Sequence, residues 1–337
     1  MKILSSSHQW KPLLVVSCVF LFIGSIICMN DILLPSLKSF FQLSYVQATF
    51  VQQSFYLVYL IFPIPIAWFI SAYGYKTGLI TALAVCSVGC GLFVPAYFLS
   101  SYPLTLIALF VISMGVTLVN VAANPLAAML GKPEGSHIRI NFVQVFSRIG
   151  YSCTPVLATG LIYGTHKKIS FHLPYLFLGI GTAVFALLIW FSRLPAFRPE
   201  RVKGFSFFAI LKESKKYPQL FWGAIIMFFY VGAEASTAGF FISYLQDKSI
   251  AGFSSGRAAQ FLTWYYVVAT IVGFFGIYLF KFLSAGRMVV IFGIGMVVTY
   301  LLCAFTHSGL NPYYMIALGV FISIMFPTLF GLGIEGI

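Results

Sequence analysis

Acidic side chains are almost absent from this chain: seven Asp and Glu stand among 337 residues, and all charged residues together make up 8% of it. A soluble domain carries about a quarter charged residues to wet its surface, so an ordinary water-soluble fold is excluded. No segment alternates apolar and polar residues with period two, which argues against a membrane β-barrel. The six cysteines (Cys18, Cys28, Cys86, Cys90, Cys153 and Cys303) all lie in apolar runs. None gathers the histidines or further cysteines that a metal centre needs, so they read as small packing residues and no metal is expected. No nucleophile–base pair stands out either, which leaves a membrane-embedded enzyme without chemistry, and no cofactor is called for. The first apolar run is too long for the core of a cleavable signal and lacks a small-x-small end.

What the chain has in excess is apolar surface. Hydrophobic residues make up 60% of it, aromatics 18%, and the mean hydropathy is +0.97. A helix of roughly 20 apolar residues crosses a bilayer, and breaks at glycine, proline and charge divide the chain into ten such runs. They are Leu13–Leu34, Thr49–Ile70, Leu79–Leu99, Leu104–Met129, Ile140–Tyr163, Pro174–Phe191, Leu220–Leu245, Phe261–Phe282, Met288–Phe305 and Tyr313–Ile337. Within lipid a lone segment can satisfy its backbone only as a helix. The expected class is therefore an all-α membrane protein.

The net charge of +13 does not indicate nucleic acid, because the basic residues sit in short gaps between apolar runs with no soluble domain to hold a patch. Membrane lipid is the expected partner instead. With the N-terminus in the cytoplasm, fifteen Lys and Arg fall on the cytoplasmic side. Five (Lys38, Lys167, Lys168, Lys248 and Arg257) fall outside. That asymmetry predicts a cytoplasmic N-terminus in the inner membrane. Seven of the fifteen cluster between Arg193 and Lys216, in the only long polar connection.

Two carboxylates interrupt apolar runs away from the chain's last residues. Asp31 is the lone charge between Leu13 and Leu34, and Glu234 the lone charge between Phe221 and Leu245. A carboxylate at membrane depth is costly and ordinarily faces a wet cavity, a partner or a substrate path. This points to a transporter, with packing or ion pairing as the plain alternative for each residue.

The chain also repeats weakly. SYVQATFVQQSFY (Ser44–Tyr56) and SSGRAAQFLTWYY (Ser254–Tyr266) each open a run that ends at a short basic turn, AYGYKTG (Ala72–Gly78) and LSAGR (Leu283–Arg287). Parallel repeats of six-helix halves, with a binding site between them, are one arrangement of secondary transporters. The organisation expected is a six-helix half over residues 1–192, a basic linker over 193–218 and a second half over 219–337. That second half holds four runs, and the sequence stops on Gly336-Ile337. It reads as a twelve-helix protein lacking its last two helices.

Six motifs in order carry a family resemblance: MNDILLPSLKSFF (Met29–Phe41), GYKTG (Gly74–Gly78), VNVAANPLAAMLG (Val119–Gly131), RINFVQVF (Arg139–Phe146), YVGAEAS (Tyr230–Ser236) and SIMFPTLFGLGIEG (Ser323–Gly336). Together they resemble the fucose/galactose/glucose:proton symporters of the major facilitator superfamily. The resemblance implies a secondary transporter importing a hexose or related sugar with a proton, as a monomer, by alternating access. It makes Asp31 and Glu234 the proton-coupling candidates, and Asp31, Asn120, Asn124, Gln144 and Glu234 the sugar-binding ones. Amides offer donors and acceptors together, which suits sugar hydroxyls. Asn120 and Asn124, four apart, share a helix face.

The sequence also departs from the family pattern. Some members carry a glutamate where Asn120 stands, and a neutral amide cannot carry a proton. The family's Gly-Arg-Phe in the eighth helix is here Gly273-Phe274-Phe275, and its Asn-Ser after the fifth-helix glutamine is Ser147-Arg148. Arg148 is expected about 18 Å shallower than Asp31 at 1.5 Å per residue, with its side chain snorkelling to the cytoplasmic face. With the early stop, these departures leave a transport-incompetent remnant that only binds sugar as the rival reading. His166 and His172 read as solvated loop residues.

Overall fold

The computed structural model describes residues 7–131, 136–162, 170–192, 194, 197, 216–280, 282–306 and 309–333. Among them stand twelve helices and no strand: α1 (Ser7–Phe40), α2 (Tyr45–Ile61), α3 (Pro63–Tyr73), α4 (Tyr75–Phe98), α5 (Tyr102–Met129), α6 (Ser136–Ile162), α7 (His172–Phe191), α8 (Pro218–Gln246), α9 (Ser255–Leu279), α10 (Ala285–Phe305), α11 (Asn311–Ile322) and α12 (Met325–Gly333).

Twelve helices serve ten runs because two runs are broken. The run expected as one helix over Thr49–Ile70 bends by 53° between α2 and α3. Pro63 opens α3; having no N–H, proline suits a first turn and interrupts a continuing helix. The tenth run breaks after Ile322, and its last four residues lie outside the described ones. Among the described residues, eight stretches are long and apolar enough to cross a membrane, α11 and α12 together counting as one, or nine with the bent pair. The remaining run lies in α6, which is 27 residues long but is diluted by Arg139, Asn141, Gln144 and Arg148. Its polar groups face protein: Arg139 and Asn141 are buried, at 2% and 1% exposure.

The two repeat segments start their helices in the same way. Ser44 caps α2 by accepting from the Gln47 N–H, with the Gln47 side chain completing a capping box, and Ser254 caps α9 by accepting from the Arg257 N–H. Such caps satisfy orphan N–H groups that lipid cannot.

Two basic residues counted above as gap charges finish helices instead. Arg139 donates to the carbonyls of Ala127, at 3.1 Å, and Ala128 at the end of α5. Lys76 donates to those of Trp190 and Ser192 at the end of α7, at 3.1 and 2.7 Å. Cations there answer both the unpaired carbonyls and the negative end of the helix dipole. The basic linker, with Glu200 and Glu213, falls almost wholly outside the described residues, as do His166 and the Lys167–Lys168 pair. His172, expected in a solvated loop, instead opens α7 with its ring 4.1 Å from that of Tyr97.

Lipid offers helices no hydrophobic drive to associate, so close packing at small residues takes its place. A Cβ on Gly24 in α1 would lie 2.0 Å from the Ser147 carbonyl oxygen of α6, and one on Gly150 2.3 Å from that of Leu21. Helices α4 and α5 meet similarly at Gly89 and Gly115, where Cys86 fills the contact. The outer faces remain apolar and exposed, as at Leu60, Phe191 and Phe305.

Candidate functional site

Between the C-terminal parts of α1 and α8 and the N-terminal part of α2 lies a cavity of about 1700 Å³. Its polar lining includes Lys38, Gln42, Gln52, Gln53, Tyr56, Ser236, Ser243 and Asp247. At its mouth the Asp247 carboxylate accepts the Ser249 N–H at 2.8 Å and the Ser249 hydroxyl at 2.7 Å. These bonds hold that exposed carboxyl below the usual aspartate range.

Asp31 and Glu234 do not line the cavity themselves; it reaches Leu34, one turn beyond Asp31, and Ala233 and Ala235 on either side of Glu234. Asp31 is 6% exposed, and its Oδ1 is buried without a hydrogen-bond partner. Tyr56 and Tyr59 of α2, Tyr151 of α6 and Tyr266 of α9 stand within its electrostatic reach. An unsatisfied buried carboxyl oxygen is costly, and a proton or a ligand hydroxyl would satisfy it.

Asn120, Asn124 and Gln144 form a linked set. Gln144 donates to Asn124 Oδ1 at 3.1 Å, while the two asparagine amides donate to the Val116 and Asn120 carbonyls. Tyr59 stands within electrostatic reach of both Asn120 and Asp31. Glu234 lies one helical turn beyond Tyr230, whose hydroxyl donates to the Ile322 carbonyl at 3.2 Å. The structure thus brings the sequence-nominated residues from α1, α5, α6 and α8 around one buried region beside the cavity.

Arg148 is where sequence reasoning failed. It does not snorkel: Nη2 reaches the Ile322 carbonyl oxygen at 3.4 Å, Nη1 is buried without a partner, and Glu234 lies within electrostatic reach. Its depth was misjudged as well: Ser147 packs against Gly24 and the Cys28 thiol donates to the Tyr151 carbonyl, so Arg148 stands nearer the level of Asp31 than expected, where protein groups rather than the cytoplasmic face receive it. The tyrosines were under-read. Tyr151 and Tyr266 meet ring to ring, tilted, with centroids 4.6 Å apart across the α6–α9 seam. Nothing in their spacing sets them apart from lipid-facing aromatics.

The sequence model of the Major Facilitator Superfamily matches residues 13–337. The chain belongs to that superfamily. Among relatives within it, a glucose/galactose transporter of Brucella abortus is 32% identical over 334 residues, covering 96% of this chain and 79% of the relative. The L-fucose-proton symporter of Escherichia coli is 29% identical, covering 92% and 76%. A crystal structure of the Escherichia coli fucose:proton symporter superposes with a TM-score of 0.81 at 29% identity, covering 98% of this chain and 86% of that one. A structure of a symporter of the same name in its outward conformation superposes equally well, also at 0.81. A partially occluded, inward-open xylose transporter shares the fold at 0.76 and 14% identity.

Proposed function

We propose that this protein is a secondary active transporter that carries a hexose or related sugar, of the glucose, galactose and fucose class, inward with a proton. Asp31 carries this reading most directly. A carboxyl group buried at membrane depth, with an unpartnered oxygen, beside a cavity between two helical halves, is what proton-coupled movement of a polar solute requires. Relatives that span nearly the whole chain and are named as sugar transporters support the substrate class.

In this reading Asp31 is the principal proton carrier. Glu234, within electrostatic reach of Arg148, assists coupling and bonds sugar hydroxyls. Asn120, Asn124 and Gln144 supply further amides to the sugar. The halves are residues 1–192 and 219–337, joined by the basic linker over 193–218. Six spans lie in the first half and four of this sequence's spans in the second. The N-terminus lies in the cytoplasm, the membrane is the inner one, and the protein acts as a monomer.

The test uses proteoliposomes of the purified chain loaded with a pH-sensitive dye. Adding glucose, galactose or fucose to one side should draw protons across with the sugar. Sugar binding without any proton movement would replace this reading with the non-transporting remnant.

A further inference from the structure

Helix α6 belongs to the first half yet packs against α9 and α12 of the second as well as against α1, and Arg148 is the cation it carries into that seam. The Ile322 carbonyl that receives Arg148 Nη2 at 3.4 Å also accepts the Tyr230 hydroxyl at 3.2 Å. Ile322 ends α11, and the last carbonyls of a helix have no intrahelical donor. The break before α12 therefore leaves an acceptor at the seam. Gly273 of α9 stands beside it: a Cβ there would sit at ordinary contact distance, 3.5 Å from Arg148 Nη1 and 3.7 Å from the Ser323 carbonyl oxygen. The groups within electrostatic reach of the guanidinium are Glu234 and Tyr230 of α8, Tyr265 of α9 and Tyr151 of α6 itself. One turn along α6, the Ser152 hydroxyl meets that of Thr270 at 3.3 Å.

No residue of α6 or α9 lines the cavity. The molecule is thus closed along the α6–α9 seam and open between α1, α2 and α8. If the halves rock about a fixed site, the cavity mouth can close only as the seam parts, and parting it breaks the bond from Arg148 to Ile322.

We propose that Arg148 is a positioning residue that clasps the two halves at this seam, with the Ile322 carbonyl as its anchor, and so holds the cavity mouth open. The inference rests on the alternating-access reading above, but its test requires no sugar. Removing the clasp shifts the population toward the mouth-closed state.

Ser236 lines the cavity on α8. A Ser236→Cys variant reconstituted in nanodiscs, where reagent reaches both faces, is treated with a bulky maleimide, and modification of that peptide is followed by mass spectrometry. With Arg148 present the thiol should react quickly. With Arg148→Gln the rate should fall about tenfold or more, the scale of a lost hydrogen bond to a charged group. Arg148→Lys, which keeps a cationic donor, should recover most of the rate. A merely structural arginine would not produce that ordering in protein that stays monodisperse. Should Arg148→Gln fail to fold, Arg148→Met combined with Glu234→Gln removes both charges and leaves neither buried alone. Labelling at the parent rate in whichever of these variants folds overturns the clasp. Because sugar is absent, a protein that proves not to move sugar at all still gives an interpretable result.

Discussion

In α5, 61% of the most apolar window is buried within the protein; in α8 the figure is 17%. Both helices cross the full apolar depth, and both carry site residues, Asn120 and Asn124 on one and Glu234 on the other. The difference lies in their neighbours. Helix α5 is gripped by α4 through backbone approach at Gly89 and Gly115 and by α2 through the Ser113 hydroxyl, which donates to the Phe55 carbonyl. Helix α8 has the cavity along one side, and a Cβ on its Gly232 or Gly239 would meet nothing within 4 Å. Contacts between helices in lipid average only about 0.6 kcal/mol each, so a helix with few of them is weakly fixed. The first half is a scaffold, and α8 presents a carboxylate on a wall that little else holds.

The sharpest break of this comparison is functional. If Asp31 on the scaffold is the principal proton carrier, Asp31→Asn should abolish sugar-driven proton uptake while leaving sugar counterflow partly intact. Glu234→Gln on the looser wall should only weaken both, since an amide still bonds sugar hydroxyls. Proton uptake at the parent level in Asp31→Asn, read with a pH dye, would place the carrier elsewhere.

Packing comes next in size. Gly24→Ala puts a methyl group into the Ser147 carbonyl and should destabilise the protein by about 1–3 kcal/mol, the scale of overpacking. Gly239→Ala meets open space, and its gain in helix propensity of up to about 1 kcal/mol should leave stability unchanged or raised. Thermal unfolding in detergent, followed by size-exclusion fluorescence, would show the two shifts, and equal shifts would erase the contrast between halves.

Hydrogen exchange offers a graded version. Amides of α8 and α10 should exchange faster in detergent than those of α4 and α5, because fewer packed neighbours oppose local opening. Protection in α8 as high as in α5 would mean that the cavity side is held by something other than packing.

The smallest effect concerns thiols. Cys153 is exposed, whereas Cys86 and Cys90 are fully buried between helices of the first half. A lipid-permeant maleimide should modify Cys153 first and leave Cys86 and Cys90 unreacted until the fold is lost. Early reaction at Cys86 would show that the scaffold breathes as readily as the other half.

Much of this molecule was legible before any coordinates. Each of the ten runs lies in one helix or, for the second and tenth, in a broken pair, and Ser44 and Ser254 cap the helices that their repeats open. Asp31 and Glu234 could be singled out because a carboxylate in an apolar run is anomalous wherever it occurs. The bend at Pro63 had a visible cause in the proline and was still missed, since hydropathy alone runs smoothly through Phe62. Arg148 was placed too far from the level of Asp31 and in the wrong surroundings.

The sequence by itself determined that the chain is helical, where it crosses lipid and which few charges are out of place. Those are local properties: a backbone in hydrocarbon must bond within its own segment, and hydropathy is read one residue at a time. Only the tertiary structure decided that Asp31 lies among tyrosines from three helices, that Gln144 links to Asn124, and that Arg148 reaches a carbonyl freed by a break 174 residues away. Those depend on which faces of uniformly apolar helices meet. In lipid that choice is made by shape and by a few buried polar bonds, and neither leaves a period in the sequence.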